Sequence, residues 1–74
     1  MKLTIKLFAY FRDNRFVAEV MEFPDSITVG EIADALQIDR DDIGITMINS
    51  KHCRFDTNPA DGDNLAIFPV IGGG

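Results

Sequence analysis

The sequence predicts a two-layer α+β domain, a four- to five-stranded sheet with one main helix on one of its faces. Three observations carry this expectation. The opening segment, Lys2-Leu3-Thr4-Ile5-Lys6-Leu7, alternates polar and apolar residues with the period of two that marks a half-buried strand. A single stretch, 29–36, places apolar residues at helical spacing. The closing segment, 65–70, is again apolar and strand-like, so strands lie on both sides of the helix in sequence. One helix can cover only one face of a sheet, which leaves two layers rather than three.

Each element follows from local chemistry. In the first strand Leu3, Ile5, Leu7 and Ala9 should face the core, with Lys2, Thr4, Lys6 and Phe8 outward. Arg12-Asp13-Asn14 is a polar turn, and 16–23 is rich in β-branched and aromatic residues, giving the second strand of a hairpin that Pro24-Asp25 ends. Thr28 and Glu31 form a capping-box pattern ahead of Val29, Ile32, Ala33 and Leu36, so the helix should run over 29–36. Residues 37–42 read as an acid-rich connection. Ile45-Thr46-Met47-Ile48 is a third strand, Asn49-Ser50-Lys51 a turn, and Cys53-Arg54-Phe55 a brief strand. A tight turn over 59–64, with Gly62 supplying permissive backbone angles, leads into the last strand. The domain should occupy 1–71, with 72–74 as a flexible tail.

Composition narrows the function. At 74 residues the chain makes one domain, and one this small buries only ~60% of its unfolded surface. Its 46% hydrophobic and 26% charged residues fit a soluble globular protein rather than a disordered one. A single cysteine, Cys53, rules out an internal disulfide. Lys2 and its apolar neighbours resemble the start of a signal peptide, but Lys6, Arg12 and Asp13 interrupt the run. No stretch reaches the ~20 apolar residues of a membrane span, so the expectation is a cytoplasmic protein with no membrane association. A net charge of −5 argues against nucleic acid and fits a basic protein partner.

Catalytic constellations are missing from the sequence. His52 adjoins Cys53, but neighbouring strand residues point to opposite faces, which disfavours a Cys-His pair. Two ligands also fall short of the usual four of a zinc site, and Asp39-Arg40-Asp41-Asp42 lacks the spaced order of a calcium loop. No metal and no bound cofactor are expected. The glycines at 72–74 precede no helix, so they are not a phosphate-binding loop.

Two features remain. Gly72-Gly73-Gly74 follows an apolar run directly and places an α-carboxylate on an arm without side chains, able to pass through a narrow opening. The alternative is a frayed terminus. In the last strand Leu65 and Ile67 share the inward face, which turns Phe68 outward. If that strand neighbours the first, Phe8 and Phe68 form an exposed apolar patch at the root of the tail. A one-residue slip of the face assignment would instead bury both rings.

The whole chain resembles the β-grasp, ubiquitin-like sulfur carriers (the MoaD/ThiS superfamily), and most nearly the small subunits of molybdopterin synthase. The resemblance is carried by Leu7-Phe8-Ala9 with Arg12, by Thr28-Val29-Gly30-Glu31, and by Ile48-Asn49 with Phe55-Asp56. Asp61-Gly62-Asp63, then Leu65-Ala66-Ile67-Phe68-Pro69, and Gly73-Gly74 complete it. The resemblance implies a mixed β-grasp sheet with parallel, central first and last strands. It further implies that Gly74 is adenylated by an E1-like enzyme that uses ATP, then becomes a thiocarboxylate. Gly72 and Gly73 would give the tail its access, while Phe8, Phe68, Pro69, Val70 and Ile71 would meet a partner. That partner would be a molybdopterin synthase large subunit, in a heterotetramer, which holds the catalytic residues and builds the dithiolene of a molybdenum or tungsten cofactor. The family's segment usually has two adjacent prolines, whereas here Val70 follows Pro69 and a third glycine is present. Phe68-Pro69-Val70-Ile71 also resembles the thiamine-thiazole sulfur carriers, and a ubiquitin-like protein modifier needs the same Gly-Gly end.

Overall fold

In the computed structural model, which describes residues 1–71, the period-two segment forms strand β1 over Lys2–Leu7. Its apolar positions Leu3, Ile5 and Leu7 are all buried at 1% exposure or less. Strand β2, Ala18–Glu22, returns antiparallel to it, with Leu3 opposite Met21 and Lys6 opposite Ala18. The hairpin arm is shorter than 16–23, and the chain between the strands is not a simple turn. A 3-10 turn spans Ala9–Arg12 and drops Phe11 into the core at 3% exposure. Ala9 therefore does not extend the buried face of β1: it is exposed, with a positive φ of 52° that swings the chain out of the strand.

Helix α1, Val29–Ala35, starts where the capping box predicts: the Glu31 amide donates to Thr28 Oγ1 at 3.2 Å, and the Thr28 amide to Glu31 Oε1 at 2.9 Å. The amides of Val29 and Gly30, which have no partner inside the helix, donate to the carbonyls of Thr57 and Phe55. Leu36 caps the other end. Gln37 takes a positive φ of 59°, its amide reaching the Asp34 carbonyl while the Ile38 amide reaches that of Ala33. This closure rolls Ile38 inward to 4% exposure, so the connection over 37–42 contributes to the core and is not wholly polar.

Strand β3 runs over Ile43–Ile48, beginning two residues earlier than expected. Asn49 and Ser50, both at positive φ, make the two-residue turn into β4, which is Lys51–His52. The brief strand is thus displaced from Cys53-Arg54-Phe55, because the turn is two residues long and pairing with β3 starts at once, Ile48 opposite Lys51. Strand β5, Asn64–Pro69, completes a sheet of order β2-β1-β5-β3-β4. β5 lies parallel to β1 and antiparallel to β3. The acidic turn before β5 sets this register: Asp61 Oδ1 accepts the Lys2 amide at 2.7 Å, and the Gly62 amide donates to the Lys2 carbonyl. Gly62 takes a φ of 87° there, a conformation that residues with side chains rarely adopt. Among the described residues no helix is long and apolar enough to cross a membrane.

Candidate functional site

The parallel pairing of β1 with β5 brings their C-terminal ends to one end of the sheet, Leu7 opposite Ile67. Because Leu7 and Ile67 are buried under the helix, the next residue of each strand, Phe8 and Phe68, turns to the open face. Their rings stack with centroids 4.1 Å apart and planes 13° from parallel. The two aromatics singled out from the sequence are therefore brought together, on the face assigned to them. They are half-buried rather than exposed, since each ring covers a side of the other.

A third group joins the stack. Arg12 Nε donates to the Leu7 carbonyl at 2.7 Å, which folds the side chain back and sets its guanidinium carbon 5.2 Å from the centre of the Phe8 ring. Cation and ring attract through the ring quadrupole, and the bond to Leu7 holds the geometry. Sequence reasoning left Arg12 out of the candidate contact residues, although it stands in the pattern that carries the family resemblance. Only the 3-10 turn, which periodicity does not reveal, returns it to Phe8.

Ile45, 41% exposed, lies opposite Phe68, and Met47 lies opposite Ala66, which extends the apolar surface across three strands. Pro69 departs from expectation. It sits on the helix side opposite Ile43 and is buried, so the domain itself covers the ring expected to meet a partner. Val70 and Ile71, 50% and 77% exposed, are available. The root of the tail is clamped by the Val70 amide, which donates to the Asp42 carbonyl at 2.8 Å. Gly44 makes this possible: it occupies the irregular register between Ile43 and Ile45, and a Cβ there would stand 3.0 Å from the Pro69 carbonyl oxygen. Gly72, Gly73 and Gly74 lie outside the described residues.

The other chemical candidates lie elsewhere. His52 is exposed on β4, while the Cys53 thiol, half-buried, donates to Thr46 Oγ1 at 3.3 Å. No group of three or more potential metal ligands occurs among the described residues. Resolved pKa shifts fall at one ion pair remote from the stack. Asp34 is held below its ordinary value by hydrogen bonding to Arg40, whose guanidinium is raised in turn by Asp34. Arg40 also lies over Phe55 and over Gly30, whose missing side chain makes room for it.

A model of the ThiS family matches residues 5–74, nearly the whole chain. The chain belongs to the ThiS family. ThiS-family membership, with the mixed sheet and single helix, places it among β-grasp sulfur carriers and ubiquitin-like modifiers. Solved structures share the fold. SAMP1 from Haloferax volcanii is 24% identical over all of both chains, with a TM-score of 0.76. A Pyrococcus furiosus protein assigned as molybdopterin converting factor subunit 1 is 23% identical, over 96% of this chain and 99% of its own, with a TM-score of 0.78. Molybdopterin-converting factor of Helicobacter pylori, solved as a complex of its subunits 1 and 2, matches at 16% identity over all of both chains, with a TM-score of 0.67. A search of curated proteins returns no match.

Proposed function

We propose that the chain is a cytoplasmic sulfur carrier for molybdopterin dithiolene synthesis, with Gly74 bearing the reactive carboxyl. The observation that carries the reading is the Phe8–Phe68 stack, joined to Ile45 and placed where β5 leaves the sheet for the tail. An apolar surface next to an anchored tail root fits a domain that docks on one face and delivers its terminus into its partner.

The chemistry follows from the carboxyl group. An α-carboxylate has a pKa near ~3.3–3.7, so at neutral pH it is ionised and unreactive towards nucleophiles. An E1-like enzyme would join it to AMP from ATP, releasing pyrophosphate. Hydrosulfide or an equivalent sulfur nucleophile then attacks the acyl carbon, the bond to AMP breaks, and a thiocarboxylate remains. This step needs an acyl adenylate but no acid, base, metal or cofactor on the carrier. Residues 71–74 reach at most ~13–14 Å when extended, enough to enter a large subunit's pocket while the sheet face stays docked outside. Gly72 and Gly73 keep that arm narrow.

The ThiS-family match supports a second reading, sulfur supply to a thiamine thiazole synthase, and the fold shared with SAMP1 allows a protein modifier. Incubation with the host's adenylating enzyme, ATP and sulfide should exchange one carboxyl oxygen for sulfur, read by intact mass. Sulfuration of a pterin precursor by a large subunit, rather than thiazole formation or a ladder of conjugates, separates the three. Deleting Gly74 shortens the arm by ~3.5 Å, and a displacement of ~1 Å can already cost 100-fold in rate, so transfer should be lost with stability unchanged. Sulfur transfer at the wild-type rate by the shortened chain would sink the reading.

A further inference from the structure

The face that the sheet turns away from α1 carries charge of the opposite sign to the chain as a whole. The chain has a net charge of −5. On the open face of the first hairpin, however, Lys2 and Lys6 project from β1, and the one carboxylate, Glu22, stands directly across from Lys2. Arg12 adds a third cation over Phe8. The central positions of the face, Ala66, Phe68, Ile45 and Met47, are apolar. Lys6 borders a depression of ≈ 220 Å³ whose apolar lining comes from Phe8, Met47, Ala66 and Phe68. The three ion pairs among the described residues all lie elsewhere, so neither Lys6 nor Arg12 is matched by a carboxylate there. Many of the acids sit on α1 and the turn before β3, among them Glu31, Asp34, Asp39 and Asp41.

We propose that this face docks a protein surface whose apolar centre is flanked by carboxylates, so that local charge, not net charge, selects the partner. The proposal rests on the reading that the sheet face meets the carrier's protein partners. Distance decides which charges a docked surface feels. The domain is 21 to 23 Å across its shorter axes, while charges are screened over ~8 Å at physiological salt. Lys6 and Arg12 act at contact range, while Glu31 and Asp34 on α1 act from the far side of the sheet, behind the layer of core side chains. A nucleic-acid backbone would match the cations but leave Phe8, Phe68 and Ile45 facing phosphate.

The test is an amide NMR titration of the full chain with two synthetic helical peptides sharing one Leu/Phe stripe, one flanked by Glu and the other by Lys. The Glu-flanked peptide should shift the amides of Lys6, Phe8, Met47, Ala66 and Phe68 and bind about tenfold more tightly than the Lys-flanked one. Lys6→Glu should weaken the Glu-flanked complex about fivefold or more, and Arg12→Gln should weaken it in the same direction. Asp34→Lys, a charge change of the same size on the helix side of the sheet, should leave it within about twofold. Equal or tighter binding of the Lys-flanked peptide or of a single-stranded oligonucleotide, or no shift of the sheet by either peptide, would overturn the proposal. The titration does not involve the tail. A chain that binds the Glu-flanked peptide but is never adenylated would sink the carrier reading and keep the surface, and the converse result would do the reverse.

Discussion

The two faces of the sheet are made from the same strands and differ in what covers them. Under α1, Leu3, Ile5, Leu7, Leu65 and Ile67 are at most 1% exposed and pack in one hydrophobic cluster. One residue along each strand, the open face alternates Lys6, Phe8, Ala66 and Phe68, none fully buried. Full burial of an aliphatic side chain contributes ~1.5–3 kcal/mol, so the covered face supplies most of the folding free energy. The open face retains large rings that the domain covers only in part, through their own stacking. Stability is therefore assigned to one set of alternate residues, and the recognition proposed above to the other set of the same strands.

Substitutions on alternate residues should separate the two roles. Ile67→Ala removes a wholly buried side chain and should cost about 2–5 kcal/mol, read from a denaturant midpoint. Since whole domains hold ~5–15 kcal/mol, a loss below about 1 kcal/mol would break the comparison. Its neighbour Phe68→Ala should show the opposite profile. Truncated aromatic anchors often cost ≥2 kcal/mol in binding, so the Kd for a cognate large subunit should rise at least about tenfold by calorimetry. Its folding cost should stay closer to the ~0.5–1.5 kcal/mol of an aromatic pair. Unchanged affinity with the fold intact would remove the docking role from the stack.

Smaller effects refine the picture at the edges. Gly44→Ala places a methyl 3.0 Å from the Pro69 carbonyl oxygen, and backbone there can yield only slightly. About 1 kcal/mol of stability should be lost, with faster hydrogen exchange at the Val70 amide as its bond to Asp42 loosens. Asp34 offers the smallest test. Its carboxyl titrates below its ordinary value of 3.8 in the folded chain, so its pairing with Arg40 favours folding above that pH and is lost as pH falls through the lowered value. Asp34→Asn should lower stability slightly in the neutral range, where the pair is charged, leave it unchanged at pH below the lowered value, and so flatten the acid limb of a stability–pH profile. An unaltered acid limb would place the pair outside the stability balance.

Elements with a local signature were legible in advance. Alternation over 2–7 set the faces of β1, the Thr28–Glu31 capping box located the first turn of α1, and Leu65 with Ile67 oriented Phe68 correctly. Elements decided by closure were not. Cys53-Arg54-Phe55 has a strand-like composition, yet the Asn49-Ser50 turn gives the pairing to Lys51–His52. Ala9 continues the apolar alternation of β1 until its positive φ ends the strand.

By itself the sequence determined the two layers, the single helix and the identity of both stacking rings, because periodicity and capping act within a few residues. Tertiary structure alone decided three things. It paired β1 with β5 and so brought Phe8 onto Phe68 across sixty residues of chain. It folded Arg12 back to the Leu7 carbonyl beside that stack. It turned Pro69 inward while leaving Val70 on the surface. Each depends on which strand lies beside which, and that choice is made by the shared aliphatic core rather than by any local run of residues.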